Sequence, residues 1–355
     1  MKRLFWNSEG RRLAMFWRLL FGFGLYMVFI FILQAIIGAA GVIVVMATGG
    51  YSLESFTSPG FAMQFAAQLQ AMPVFTLLIS VSTLIGSVLA IFVAGRAFDR
   101  RRFADFGLRF KPLWWSDFAF GLALGAVLMA FIFLVEWLMG WVTITAEQLA
   151  AQAGVALGVG LLVAAIRYIC VGIYEELLSR GYMLRNLGEG FKNLGISPKL
   201  AILIGYLLSS VVFGLMHANN PNATLMSTIN LMVAGLFLGL GYILTGELGI
   251  SIGVHMTWNF FQGNVFGFPV SGLQSGASII NIQQSGPVVW TGGAFGPEAG
   301  IIGLLAMGLG CLLMVLYVKA RHGKAGICEE IAQYAPRVKK TEVAAAPIAE
   351  EPTQL

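Results

Sequence analysis

The sequence is short of charge. Lys, Arg, Asp and Glu together make up 11% of its 355 residues, against roughly 25% in an ordinary soluble domain. Eleven of the 39 charges lie after Val318, which leaves 28 for everything before it. So few charges cannot coat a water-exposed surface, which excludes an ordinary soluble enzyme, a disordered chain and a nucleic-acid binder. Cysteine is nearly lacking as well. Cys170, Cys311 and Cys328 are widely spaced, so no disulfide framework and no Cys-rich metal site follows. Histidine occurs only at 217, 255 and 322. No cleavable leader is read at the start, because the first apolar run is too long for a signal segment and lacks a small-residue cleavage site.

What is present is apolar: 58% of the residues are hydrophobic and the mean hydropathy is +0.81. A membrane span needs about 20 such residues. The uninterrupted runs predict an all-α, polytopic membrane helix bundle with about eight spans, near 21–47, 73–95, 117–140, 155–173 and beyond, 200–219, 225–245, 249–266 and 299–318. The basic residues orient it. Residues 1–18 hold five basic and one acidic residue, 96–111 hold six and two, and 180–199 hold four and one. The intervening loops carry Glu54, Glu147 and Glu298 and no Lys or Arg. By the positive-inside rule, both termini are expected in the cytoplasm. The Arg100-Arg101-Arg102 run then belongs to a short juxtamembrane loop, not to a nucleic-acid patch. Three parts are expected: a basic cytoplasmic N-terminus (1–18), a transmembrane domain (19–320) and a disordered, charged cytoplasmic tail (321–355). Within the domain, a core at 155–266 carries the motifs, and 267–298 is a Gly/Ser-rich external loop that reads as a mobile cap or an interaction segment.

Ionisable residues inside a membrane are costly and mark function by default. Here they cluster between 167 and 259. Glu175 and Glu176 stand side by side in an apolar helical run, diverging by about 100° around the helix. Glu176 and Arg180, four apart, share a face and suit a local bridge, which leaves Glu175 to meet another helix. His217 closes the string Phe213-Gly214-Leu215-Met216-His217. His255 and Asn259 share a face of a third span. A carboxylate with an imidazole can deprotonate a water for attack on a carbonyl. A second imidazole and an amide can donate to the developing oxyanion. Zinc held by Glu175, His217 and His255 is the competing account, although no HExxH is present. Depth is a tension: His217 lies far along its helix and His255 early in its own. A shared site therefore needs tilt, shifted boundaries or a funnel into the bilayer. Arg167 reads as paired or snorkelling, Glu247 as solvent-exposed, and Trp114, Trp115, Trp137 and Trp141 as interface anchors.

The strings EELLSR at 175–180, FGLMH at 213–217 and HMTWN at 255–259 resemble, in order, the EExxxR, FxxxH and HxxxN motifs of the CPBP family. That family includes CAAX prenyl endopeptidases and bacteriocin-processing or abortive-infection proteins. Ser179 departs from the Phe common in the family at that place. The resemblance implies an intramembrane endopeptidase in which Glu175 and His217 activate water, His255 and Asn259 form the oxyanion hole, and Glu176 and Arg180 support the site. It favours no metal cofactor. It further implies membrane lipid and a membrane-associated or prenylated peptide as partners, with a bacterial plasma membrane as the expected location. A non-proteolytic scaffold or bacteriocin-immunity protein of the same fold, and less so a transporter, stay open as alternatives.

Overall fold

The computed structural model describes residues 5–7, 12–47, 53–58, 60, 61, 65, 69, 72–145 and 156–334. A two-residue hairpin, β1 (Trp6–Asn7) with β2 (Arg12–Leu13), precedes the first long helix α1 (Met15–Ala47). Then follow α2 (Pro73–Ala97), α3 (Pro112–Leu138), the strand β3 (Val142–Ile144) and α4 (Leu157–Asn193). The helices α5 (Pro198–Met216), α6 (Leu225–Thr245) and α7 (Gly249–Phe260) come next. The strand β4 (Ile282–Gln284) and α8 (Ile301–His322) complete the order. The Glu147 position and residues 335–355 lie outside the described residues.

The helix starts follow elementary rules. Pro73, Pro112 and Pro198 each open a helix, where a missing N–H costs nothing and φ is already set. This moves the start of α3 to Pro112 rather than 117. Thr224 caps α6 by accepting from the Ser227 amide at 3.1 Å, and Gly246 ends it in the left-handed conformation.

Seven of these helices, α1 to α6 and α8, are long and apolar enough to cross a membrane. The chain is a polytopic membrane protein. The expected eighth span differs: α7 has 12 α-helical residues and continues as a π-helical turn, Phe261–Val265. It nevertheless runs from one end of the bundle to the other. At its start the Leu248 amide bonds the Gly107 carbonyl of the α2–α3 loop. At its end Gln262 and Asn264 are tied to the segment after it through Phe268 and Ile279. A short helix suffices because α7 is enclosed by neighbours, and nearly all of Gly249–Trp258 is buried.

That enclosure is written in small residues. Gly121 of α3 meets Gly253 of α7, while Gly125 packs on the Val254 carbonyl and Thr257 and Gly249 on the Trp114 carbonyl. A Cβ on Gly253 would overlap the Phe118 carbonyl oxygen, and one on Gly121 the Ile250 carbonyl oxygen. On the other side of α7, Gly172 of α4 packs on Met256 and the Ile252 carbonyl. Such seams let backbones approach closely where lipid provides no hydrophobic drive between helices.

One end of the bundle holds a buried charge network. Glu189, near the end of α4, pairs with Arg12 at 2.5 Å, Arg18 at 3.2 Å, Arg185 at 3.7 Å and also Arg101. Arg18 reaches Asp99 at 3.1 Å. Arg12 lies 3.6 Å over the Tyr334 ring, so the two ends of the described chain meet. Arginines that look in the sequence like solvent-facing topology signals are therefore partly internal.

Trp114 is core, not an interface anchor: it is buried and its Nε1 donates to the Gly107 carbonyl at 3.0 Å. Glu247 is not simply solvent-exposed but pairs with Arg109 Nε at 2.8 Å. The start of the stretch expected as a disordered tail packs on the bundle. His322 bonds the buried Asp117 at 3.1 Å, and Ile331 and Ala332 are buried.

The Gly/Ser-rich segment 267–298 is folded against the bundle at the opposite end. β4 pairs antiparallel with β3, Phe268 is fully buried, and Asn264 Nδ2 donates to the Ala277 carbonyl at 2.6 Å. The buried Glu136 of α3 accepts from Gln284 of β4 at 2.7 Å.

Candidate active site

The site is built on α4, α5 and α7. After Glu176, α4 widens into eight residues of π-helix, Leu177–Leu184, before resuming as α-helix. Such irregularities are frequent at functional sites. They change which side chains face inward, and here every residue from Glu176 to Leu184 is buried.

Glu176 is fully buried. Its Oε1 accepts from Arg180 Nη1 at 3.1 Å and lies 2.8 Å from His255 Nδ1. Arg180 also donates to the Gly235 carbonyl at 2.8 Å and stacks over the Phe213 ring at 4.6 Å. Its guanidinium is thus held by one carboxylate, one carbonyl and one ring face. The expected Glu176–Arg180 bridge is present, but Glu176 is also the carboxylate that reaches the other helix most closely. Glu175, with a side chain 18% exposed, has its Oε2 3.8 Å from His255 Nε2. His255 therefore stands between the two neighbouring carboxylates, one on each ring nitrogen.

Proton bookkeeping follows from the partners. A carboxylate held by Arg180 can only accept, so His255 Nδ1 carries a hydrogen and Nε2 is directed at Glu175. His217 Nδ1 lies 2.8 Å from the Phe213 carbonyl. A carbonyl also only accepts, so the remaining nitrogen, Nε2, is the acceptor of the neutral ring.

Glu175, His217, His255 and Asn259 all line one cavity of about 310 Å³. Phe213 lies between the imidazoles, its ring 4.8 Å from His217 and 6.1 Å from His255. Both histidines therefore reach one cavity despite their different depths along α5 and α7. The side chain of His217 folds back along α5 toward Phe213, as helical side chains do. Glu175 and His217 are not hydrogen-bonded to each other among the described residues. The Asn259 side chain forms no hydrogen bond among the described residues, which leaves its amide to the cavity. Among the described residues no three His, Cys, Asp or Glu side chains are grouped to hold a metal ion. The set Glu175, His217 and His255 is accordingly not assembled as a ligand triad.

Three lining residues were not legible as site residues. Tyr26 comes from α1, which no motif marks. Arg167 lies on α4 two turns before Glu175. Glu298, read from the sequence only as a loop charge, is buried and lines the cavity. It accepts from Gln262 and from the amide and hydroxyl of Ser271. Burial pushes its carboxyl up to about 7. An acidic residue set among Gly and Pro just before a span was the one available signal.

Residues 157–261 match the family model described as type II CAAX prenyl endopeptidase Rce1-like. The matched stretch runs from the start of α4 to the end of α7 and holds Glu175, Glu176, Arg180, His217, His255 and Asn259. Searches of curated proteins and of solved structures return no match.

Proposed function

We propose that the protein is an intramembrane endopeptidase that hydrolyses a peptide bond with a water activated by side chains alone. The reading rests chiefly on one observation: His255 is gripped by Glu176 and faces Glu175 in a cavity also lined by His217 and Asn259. It agrees with the Rce1-like match over 157–261.

Glu175, the more exposed carboxylate, and the acceptor nitrogen of His217 take the proton of a water as it attacks the scissile carbonyl. The oxyanion that forms is met by the Asn259 amide and by His255, which donates from Nε2 when its ring carries a hydrogen on both nitrogens. Proton return to the leaving amine through the same base completes the hydrolysis. Glu176 is a positioning residue: it holds the His255 ring through Nδ1, while Arg180 holds that carboxylate in place. A low-dielectric cavity strengthens each of these interactions. The substrate is a membrane-associated peptide, prenylated substrates included, and the setting is a bacterial plasma membrane with both termini in the cytoplasm.

The test is a purified assay in lipid nanodiscs with quenched fluorescent peptides. Glu175→Gln removes cleavage while the melting transition and elution volume stay those of the wild type. Normal cleavage by that variant would remove Glu175 from the mechanism. EDTA leaves wild-type activity intact. Loss on chelation with rescue by zinc would replace this mechanism with a metal-assisted one.

A further inference from the structure

Residues 267–298 lie outside the stretch matched to the family, yet they close one wall of the cavity. The contact is made by a tight turn. Val270 and Leu273 pair as an isolated bridge, and between them Ser271 and Gly272 both have positive φ, 47° and 84°. Left-handed backbone is free for glycine but strained for serine, and it persists only where the surroundings over-determine it. Here they do. The Ser271 amide and hydroxyl both donate to Oε1 of the buried Glu298, the hydroxyl at 3.1 Å. The Gly272 amide donates to the Phe295 carbonyl at 2.7 Å. Asn220 Nδ2 donates to the Ser271 carbonyl at 2.9 Å. A Cβ at Gly272 would overlap the Pro221 carbonyl oxygen, so the turn is wedged against the residues that follow α5.

Those residues come directly after His217. α5 ends at Met216 with His217 as its C-cap, and it does not close on a left-handed glycine as α6 does at Gly246. The turn that follows is held instead by the Asn220 amide on the His217 carbonyl at 3.1 Å, and by the Asn220 side chain on the external turn. Bonded contacts thus run from Glu298 through Ser271 and Asn220 to the backbone of His217. We propose that Glu298 is a positioning residue for His217: it locks the Ser271–Gly272 turn, the turn holds the end of α5, and that end aims the imidazole into the cavity. The proposal rests on the endopeptidase reading, which gives His217 its part in the reaction, and adds what seats it. Glu298 itself is not free to meet a substrate, because Ser271 occupies its Oε1 and Gln262 its Oε2. Helix ends fray when nothing holds them, and a reacting group misplaced by about 1 Å can cost roughly 100-fold in rate. The external segment is therefore a part of the active site and not only its cover.

The scarcity of histidine makes the test direct. Isotope-labelled histidine gives imidazole signals from His217, His255 and His322 alone, assigned with His217→Gln and His322→Gln. Wild type, Glu298→Ala, Glu298→Gln and Asn220→Ala are compared in nanodiscs by NMR and by cleavage of one quenched peptide. Glu298→Ala is expected to move the His217 signal and leave those of His255 and His322 in place. It should also lower kcat at least about ten-fold with KM within about two-fold. Glu298→Gln restores most of both, because its amide oxygen still accepts from Ser271, and the Oε1 of Gln262, buried without a partner, can turn to the new donor. Asn220→Ala, at a half-exposed residue, breaks the same link nearer the surface and gives the same signature. It carries the test if Glu298→Ala does not fold. An unmoved His217 signal, or a wild-type kcat, in Asn220→Ala overturns the proposal. So does a loss carried by KM alone, which makes the turn a substrate contact, or a shift of all three imidazoles, which makes the link a matter of the fold. The NMR result stands whether or not the peptide is cleaved. A wild type that cleaves nothing refutes the endopeptidase reading, while a His217 signal that moves alone in the variants still supports its bracing by Glu298.

Discussion

Glu176→Gln removes one negative charge from a point where two cations or donors converge. The residue is fully buried, and its Oε1 serves both Arg180 at 3.1 Å and His255 at 2.8 Å. Arg180, 1% exposed, would keep only the Gly235 carbonyl and the Phe213 ring. Breaking a buried ion pair by deleting one partner typically costs 3–5 kcal/mol, because the survivor stays buried and uncompensated. The amide oxygen of Gln still accepts a hydrogen bond, so about 3 kcal/mol is the expected loss. Replacing both members changes the arithmetic. Glu176→Gln with Arg180→Met leaves no orphaned charge and fills the guanidinium volume with an apolar chain. The double variant is expected to recover about 1–3 kcal/mol of what the two single variants would lose in sum. Activity should not recover with it, since His255 has lost the carboxylate that holds its ring. The assay is a thermal melt of all four proteins in one detergent, with cleavage measured on the same samples. If Glu176→Gln melts like the wild type, the burial argument fails. If the double variant is both stable and fully active, Glu176 is not a positioning residue.

Two further outcomes follow from the geometry. Glu298 titrates near 7 when buried, above the 4.5 of a free glutamate. The folded protein therefore binds more protons than the unfolded one between those values, and stability falls as pH rises from about 4.5 to 7. The full cost is of the order of 3 kcal/mol. Melting temperature should decline over that window in the wild type and be flatter in Glu298→Gln; an identical slope in both would dismiss the carboxyl as the source. Gly253→Val drives two methyls into the Phe118 carbonyl, so α3 and α7 must separate. Overpacking of this kind costs about 1–3 kcal/mol, and it should displace His255, lowering kcat at any temperature at which the protein remains folded. Wild-type kcat would show that α7 has another way to seat its histidine.

Much of the architecture is legible because a membrane simplifies the code. Runs of 20 apolar residues are distinctive, and six of the eight expected spans recur within a few residues of their predicted ends. α1 starts earlier, at Met15, because Arg18 is neutralised by Asp99 and Glu189 within the bundle. The span at 249–266 is legible from its motif and its boundaries rather than from apolar length. The site residues stand out for the same reason that the composition does: where charge is scarce, each remaining charge is informative. What the sequence hides is partnership. Nothing local assigns His255 to Glu176 rather than to Glu175, because the choice depends on how Gly172 seats α4 on Met256 and Ile252. Nor can a loop such as 267–298 announce that it folds back and inserts Glu298 into a cavity wall. The basic residues read as topology signals were counted correctly as charges, yet their burial around Glu189 is a tertiary fact.

The π-helical stretch Leu177–Leu184 sets a phase. It separates two charge clusters on a single helix: Glu175 and Glu176 on one side, Arg185 and Glu189 on the other. A regular α-helix would fix the angle between them at 100° per residue. A segment bonded i to i+5 turns less per residue, so each cluster can be aimed at its own partners, α7 for the first and α1 with the α2–α3 loop for the second. Within this segment, chain length is an angular variable. Losing or gaining one residue there would leave every side chain in place chemically and still rotate Glu175 and Glu176 out of alignment with the arginine-lined base.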